Sequence, residues 1–157
     1  PAKTPADAAG APPKRTPLSY AEAFHLATVG GAEAIGLGAA IDYVGAVGLG
    51  NISAHEQGVL QYASERLQAV EGLRIIGQAR EKASIISFVI DGIHAHDLGT
   101  FVDRSGVAVR VGHHCAQPVM ERYGIAATAR ASFGLYNTRE EVDVVTDALN
   151  QAKDFFG

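Results

Sequence analysis

VAVRVGHHCAQPVMERYGIAATARASFGL, residues 107–135, sets two stretches of period two on either side of a short interruption. In VAVRV, residues 107–111, Val107, Val109 and Val111 share one face while Ala108 and Arg110 share the other, which is the pattern of a strand. ATARASFGL, residues 127–135, reads as a second strand with Arg130 interrupting its apolar run. PVMERYG, residues 118–124, reads as a short helix with proline in its first turn. Each arginine falls on the face opposite its strand's larger apolar side chains. The segment therefore predicts strand, loop, short helix, strand, with the only cysteine of the chain, Cys115, in the loop.

Working outward, LRIIG (73–77) and ASIISFVI (83–90) read as two earlier strands. HAHDLGTFVDRSG (94–106) is expected to be a helix with Leu98, Phe101 and Val102 inward, stopped by Gly106. His94 and His96 then pack at its start. A longer helix is expected from Ser53, with Glu56 completing a capping box. Its apolar stripe is Val59, Leu60, Ala63, Leu67 and Val70, and Gly72 ends it. Residues 32–47 suit a helix through Ile35, Ala39, Ile41, Val44 and Val47, with Gly36, Gly38 and Gly45 read as close-packing positions. Gly36 and Gly38 follow no strand and lack the third glycine of a dinucleotide fingerprint. The last helix is capped by Thr138 and Glu141 and carries Val142, Val145, Leu149, Ala152 and Phe156. The order of elements predicts an α+β fold, a small mixed or antiparallel sheet covered by helices. No internal repeat is visible.

The 157 residues suffice for one domain and a tail. Residues 1–17 hold five of the six prolines and nothing apolar larger than alanine, so a disordered linker or tail is expected there, with the domain over 18–157. A net charge of -4 argues against a nucleic-acid partner. No apolar run approaches a membrane span, no signal peptide is read at the start, and a lone cysteine suits a reducing cytoplasm.

Cys115 admits several readings. Lying between a strand end and a helix start, it stands where a positive partial charge favours the thiolate. Free cysteines nonetheless mostly just pack, and on local features the two readings balance. His113, His114 and Cys115 are adjacent, whereas zinc ligands from one segment are spaced by two or more residues, so no metal site is expected. A cysteine–histidine hydrolase would need partners that sequence adjacency does not supply. For Arg110 and Arg130 the plain reading is solvated residues on an outer sheet face. The sharper one is a carboxylate clamp, since a guanidinium grips a carboxylate through two parallel hydrogen bonds.

Residues 108–143 resemble the end of the SufS-type, or group II, cysteine desulfurases, within the class-V aminotransferase-like enzymes. The likeness rests on RVGHHCA around Cys115, RAS at 130–132 and YNTREEVD at 136–143. It extends back through HAHDLGTFVDRSGVAVR and AEAIGLGAAIDYVGAVGL, covering nearly all of residues 24–157.

The resemblance implies the C-terminal small domain of a fold-type I enzyme that uses pyridoxal phosphate. L-cysteine, or selenocysteine as an alternative substrate, would yield alanine. The sulfur would pass to Cys115 as a persulfide and onward to an acceptor protein of the SufE/SufU type for iron-sulfur assembly. It further implies that Arg130 holds the substrate carboxylate, that Arg110 shapes the pocket, and that Thr28 reaches the cofactor phosphate across a homodimer interface. His113 and His114 are motif residues for which the resemblance specifies no separate roles.

Two departures stand beside it. The lysines are Lys3, Lys14, Lys82 and Lys153, none in the family's serine-x-histidine-lysine context. The phosphate segment reads FHLATV at 24–29, without the family's glycine and proline. The chain alone is therefore expected not to desulfurate cysteine. A split or degenerate sulfur-relay module is the alternative.

Overall fold

The computed structural model describes residues 36–157. The tail expected over 1–17, Thr28 and the start of the first helix lie outside the described residues. The described residues belong to two units, one ending at Val47 and the other running from Gly48 to Gly157.

In the first unit, helix α1 spans Leu37–Val47 and none of its residues is buried. Gly36 precedes it at φ 80°, a left-handed conformation that glycine adopts without a Cβ penalty. The close packing expected at the helix glycines is not seen at Gly36 or Gly45. A Cβ added at either meets nothing within 4 Å among the described residues.

The second unit contains helix α2 (Leu49–Gln68), strands β1 (Leu73–Ile76) and β2 (Ile85–Ile90), helix α3 (Ala95–Asp103) and strand β3 (Arg110–Gly112). Helix α4 (Gln117–Tyr123), strand β4 (Thr128–Ser132) and helix α5 (Arg139–Phe156) complete it. The sheet has the order β1-β2-β4-β3, and every pair is antiparallel. The α+β expectation holds, and the sheet is antiparallel rather than mixed.

Register assigns the two faces. Directly opposite residues of antiparallel strands point to the same side. Ile75, Phe88, Ala129 and Val111 form one row across all four strands. With Ile86, Ile90 and Ala131 they meet the helices, joining Val59, Leu60, Ala63 and Leu67 of α2, Leu98 and Val102 of α3, and Val142 and Leu149 of α5. Phe88, Leu67 and Leu98 are among the largest fully buried side chains, each worth about 1.5–3 kcal/mol of burial. The next row, Ile76, Ser87, Arg130 and Arg110, lies on the opposite face.

Several boundaries moved for physical reasons. Helix α2 begins at Leu49 rather than Ser53, so the expected Ser53–Glu56 capping box is not used. Gly48 at φ 89° is the N-cap, and no side chain caps the helix. The strand expected over 107–111 is laddered only over Arg110–Gly112. Val107 N–H instead donates to Val102 O at 3.2 Å, tying that end to the close of α3. The alternation survives, because Val107 is buried and Val109 and Val111 pack on the core. The capping box at α5 forms as expected, with Thr138 Oγ1 accepting from Glu141 N–H and Glu141 accepting from Thr138 N–H. Phe156, expected inward, is 42% exposed and stacks edge-on with Phe101 and Phe155.

Helix α5 is tied across to α2 by polar contacts. Tyr62 Oη–H donates to Asp143 Oδ1 at 2.8 Å, and Arg66 Nε lies 2.9 Å from the same oxygen. A half-exposed ion pair of this kind adds at most about 1 kcal/mol.

Candidate active site

Arg110 and Arg130 are direct cross-strand partners. Two like charges placed opposite each other on one sheet face repel, a cost that a bound anion would relieve. Ser87 faces Arg130 from the other neighbouring strand. Arg110 is exposed and Arg130 half-buried. Arg130 Nε is itself buried and has no hydrogen-bond partner among the described residues. A buried guanidinium N–H without an acceptor is costly, and it marks where one is wanted. The sequence set these arginines on the outer face of their strands; the register adds that they stand side by side.

Helix α4 folds over part of this face. Between them lies a cavity of about 240 Å³ lined by Ile76, Ser87, Arg130, His114, Met120 and Tyr123, among others. Pro118 starts α4 where its missing N–H costs nothing, and Gly124 closes it at φ 64°. Met120, buried, pins the helix.

Cys115 sits at the edge of this cavity, flanked by His114 and Ala116, which both line it. It is a free thiol and exposed, so the packing reading of this cysteine is set aside. Its backbone is unusual. After Gly112 the chain makes a tight turn in which Ala116 N–H donates to His113 O at 2.9 Å. The two central residues, His114 at φ 54° and Cys115 at φ 58°, are both left-handed. That is the pattern of a type I′ turn, normally the place of Asn-Gly. A residue with a Cβ gives up about 1–2 kcal/mol in this conformation. Strain of this sort persists where the surroundings over-determine it, and it clusters at functional sites.

The adjacent histidines have different surroundings. His113 is exposed and lines a separate cleft with His94 and His96. His94 is the N-cap of α3, its Nδ1 accepting from His96 N–H at 3.2 Å; both residues are exposed, so His94 caps the helix rather than packing at its start as expected. His114 turns back to the sheet. Its Nε2 lies 3.2 Å from the Thr128 carbonyl oxygen and 2.9 Å from Thr128 Oγ1. Burial holds the His114 imidazole below its ordinary titration range, and the positive charges of Arg130 and Arg110 push the same way. Among the described residues no group of three or more His, Cys, Asp or Glu side chains is placed to hold a metal ion.

Sequence reading missed Thr128 and Ser87. Both carried a signal. Thr128 is two residues from Arg130 and so shares its face, and Ser87 breaks the apolar run of β2 on the same side.

The described residues thus set two arginines on one sheet face beside a turn that exposes a free thiol. The chain belongs to the aminotransferase class-V family, whose model matches residues 18–145. It is 51% identical over 144 residues to a probable cysteine desulfurase of Streptomyces coelicolor, covering 88% of this chain and 34% of that protein. A probable cysteine desulfurase of Halalkalibacterium halodurans is 48% identical over 126 residues, covering 80% and 31%. Among solved structures, the apo cysteine desulfurase of Thermococcus onnurineus matches with a TM-score of 0.73 and 37% identity, covering 78% of this chain and 31% of that one. The Escherichia coli cysteine desulfurase CsdA, as the S-sulfonic acid, matches with a TM-score of 0.72 and 29% identity, over 78% and 30%. The chain thus spans about a third of the length of these relatives.

The family implies pyridoxal phosphate. Of the two described lysines, Lys153 pairs with Glu71 at 3.0 Å, and neither it nor Lys82 lines the cavity beside Cys115.

Proposed function

We propose that residues 18–157 serve as the small domain of a group II cysteine desulfurase acting on L-cysteine, with a lysine-bearing region holding pyridoxal phosphate. The carrying observation is the buried Nε of Arg130, without a partner among the described residues and beside its cross-strand partner Arg110, in a cavity also lined by His114 and Ala116, the residues that flank the exposed Cys115. Arg130, aided by Arg110, takes the substrate carboxylate. The Cys115 thiolate attacks the substrate sulfur, a sulfur–sulfur bond forms and the carbon–sulfur bond breaks. L-cysteine and the Cys115 thiol thereby become L-alanine and a Cys115 persulfide, with no outside oxidant. Exposure of Cys115 leaves the persulfide open to an acceptor protein of the SufE/SufU type supplying iron-sulfur assembly. Selenocysteine fits the same chemistry. A carrier thiol of this kind needs a reducing compartment, which favours the cytoplasm. No described helix is long and apolar enough to cross a membrane. The homodimer and the contact of Thr28 with the cofactor phosphate belong to this reading through the family.

The test is cysteine turnover in the protein completed by its lysine-bearing region. Cys115→Ser should abolish both alanine turnover and the gain of one sulfur atom at residue 115. Arg130→Ala should lower kcat/KM roughly 10- to 100-fold, the worth of a charge-assisted bond to a carboxylate. Persulfide formation by Cys115→Ser, or unchanged kcat/KM in Arg130→Ala, would sink the assignment. A second reading is a sulfur-relay module that receives sulfur on Cys115 from another protein. Labelling of Cys115 by a persulfide donor without cysteine turnover in the completed protein would select it.

A further inference from the structure

We infer that Thr128 is the positioning residue of the cysteine turn: its carbonyl and hydroxyl together hold Nε2 of His114, fix that ring as the Nε2–H tautomer, and keep His114 and Cys115 in their left-handed path. This rests on reading Cys115 as the sulfur carrier.

The geometry leads there in three steps. Gly112, the last residue of β3, pairs with Thr128 of β4. The chain therefore leaves the sheet directly opposite Thr128, and two residues later the His114 ring returns to it. That return closes a small loop on a residue that is itself completely buried. Next, a carbonyl can only accept. With Nε2 at 3.2 Å from Thr128 O and 2.9 Å from Thr128 Oγ1, the proton belongs on Nε2. Nδ1, which is buried and has no partner among the described residues, is then a bare acceptor rather than a stranded donor. Finally, a turn whose two central side chains disfavour its backbone needs an outside hold. Among the described residues, the turn's own bond is the contact from Ala116 N–H to His113 O, and the His114–Thr128 pair is the side-chain hydrogen bond that ties it to the sheet. Attack on a substrate sulfur demands a fixed line of approach, so this hold sets where Cys115 stands.

The experiment uses the 157-residue chain and two variants, Thr128→Val, which keeps the shape and loses the hydroxyl, and Thr128→Ser, which keeps the hydroxyl. Amide hydrogen exchange at Ala116 reads the turn, and amides of β2 serve as the global reference. In Thr128→Val, exchange at Ala116 should quicken roughly 2- to 10-fold, the worth of one hydrogen bond, with β2 unchanged. Thr128→Ser should stay near the parent. Nitrogen-15 shifts of the parent's His114 should show a protonated Nε2 and a bare Nδ1. A proton on Nδ1, or Ala116 exchange in Thr128→Val equal to the parent or rising only in step with β2, overturns the inference. If Thr128→Val does not fold, the tautomer and Thr128→Ser still decide it. Both readouts follow the ring and the turn, not desulfuration, so this inference and the proposed reaction can fail separately.

Discussion

Cys115 combines exposure with a backbone that its own Cβ disfavours. Glycine carries no such penalty at φ 58°. Cys115→Gly should therefore be more stable than Cys115→Ala by about 1 kcal/mol, read as a higher urea midpoint at equal slope. Equal midpoints would mean that the turn is relaxed in solution. At an unstrained position the order would reverse, because glycine costs the unfolded chain more entropy to order. The comparison therefore isolates strain from loss of the thiol. Local features alone left the cysteine evenly balanced between nucleophile and packing residue, and only the family motif pointed to the nucleophile. Exposure and dihedral angles depend on what the neighbouring strand and helix cover, which no local pattern encodes.

Among the elements, α3 and β3 set the position of the whole cysteine segment. Gly99 of α3 faces β3 so closely that an added Cβ would lie 2.7 Å from Val111 Cγ1. A branched side chain held in the sheet cannot yield cheaply, so Gly99→Ala should destabilise by about 1–3 kcal/mol. Val111→Ala added to it should recover part of that loss, because the clash is with that side chain. Thermal or urea unfolding of the single and double variants checks this, and simple additivity would show that Gly99 acts through something other than Val111. Helix periodicity in the sequence found α3 and α5 and most of their buried faces, Phe156 excepted, since a 3.6-residue stripe is local information. The start of α2 was misplaced. An S-x-x-E pattern at Ser53 looks like a cap, but the helix already starts after Gly48 and runs through Ser53.

At the scale of the molecule, the proposed reading gives the described residues the substrate carboxylate and the thiol, and no described lysine lines the cavity beside Cys115. The described lysines stand away from the cavity, one of them engaged by Glu71. The 157-residue chain supplied with pyridoxal phosphate and cysteine should therefore form no alanine and show no visible imine band. Robust turnover by the chain alone would require a lysine outside the family's context to serve, and would overturn the division of labour proposed above. The family motifs were legible in the sequence because they are contiguous: GHHC, RAS and YNTREEVD each lie within a few residues. Period-two patterning likewise put Arg110 and Arg130 on the outer faces of their strands. Antiparallel register then made them neighbours, directed His114 back to Thr128 and left His113 outside. Those pairings join residues 14 to 20 positions apart. They depend on which strand lies beside which, and that is settled by burying Phe88, Leu67 and Leu98 together in one core rather than by any neighbour in sequence.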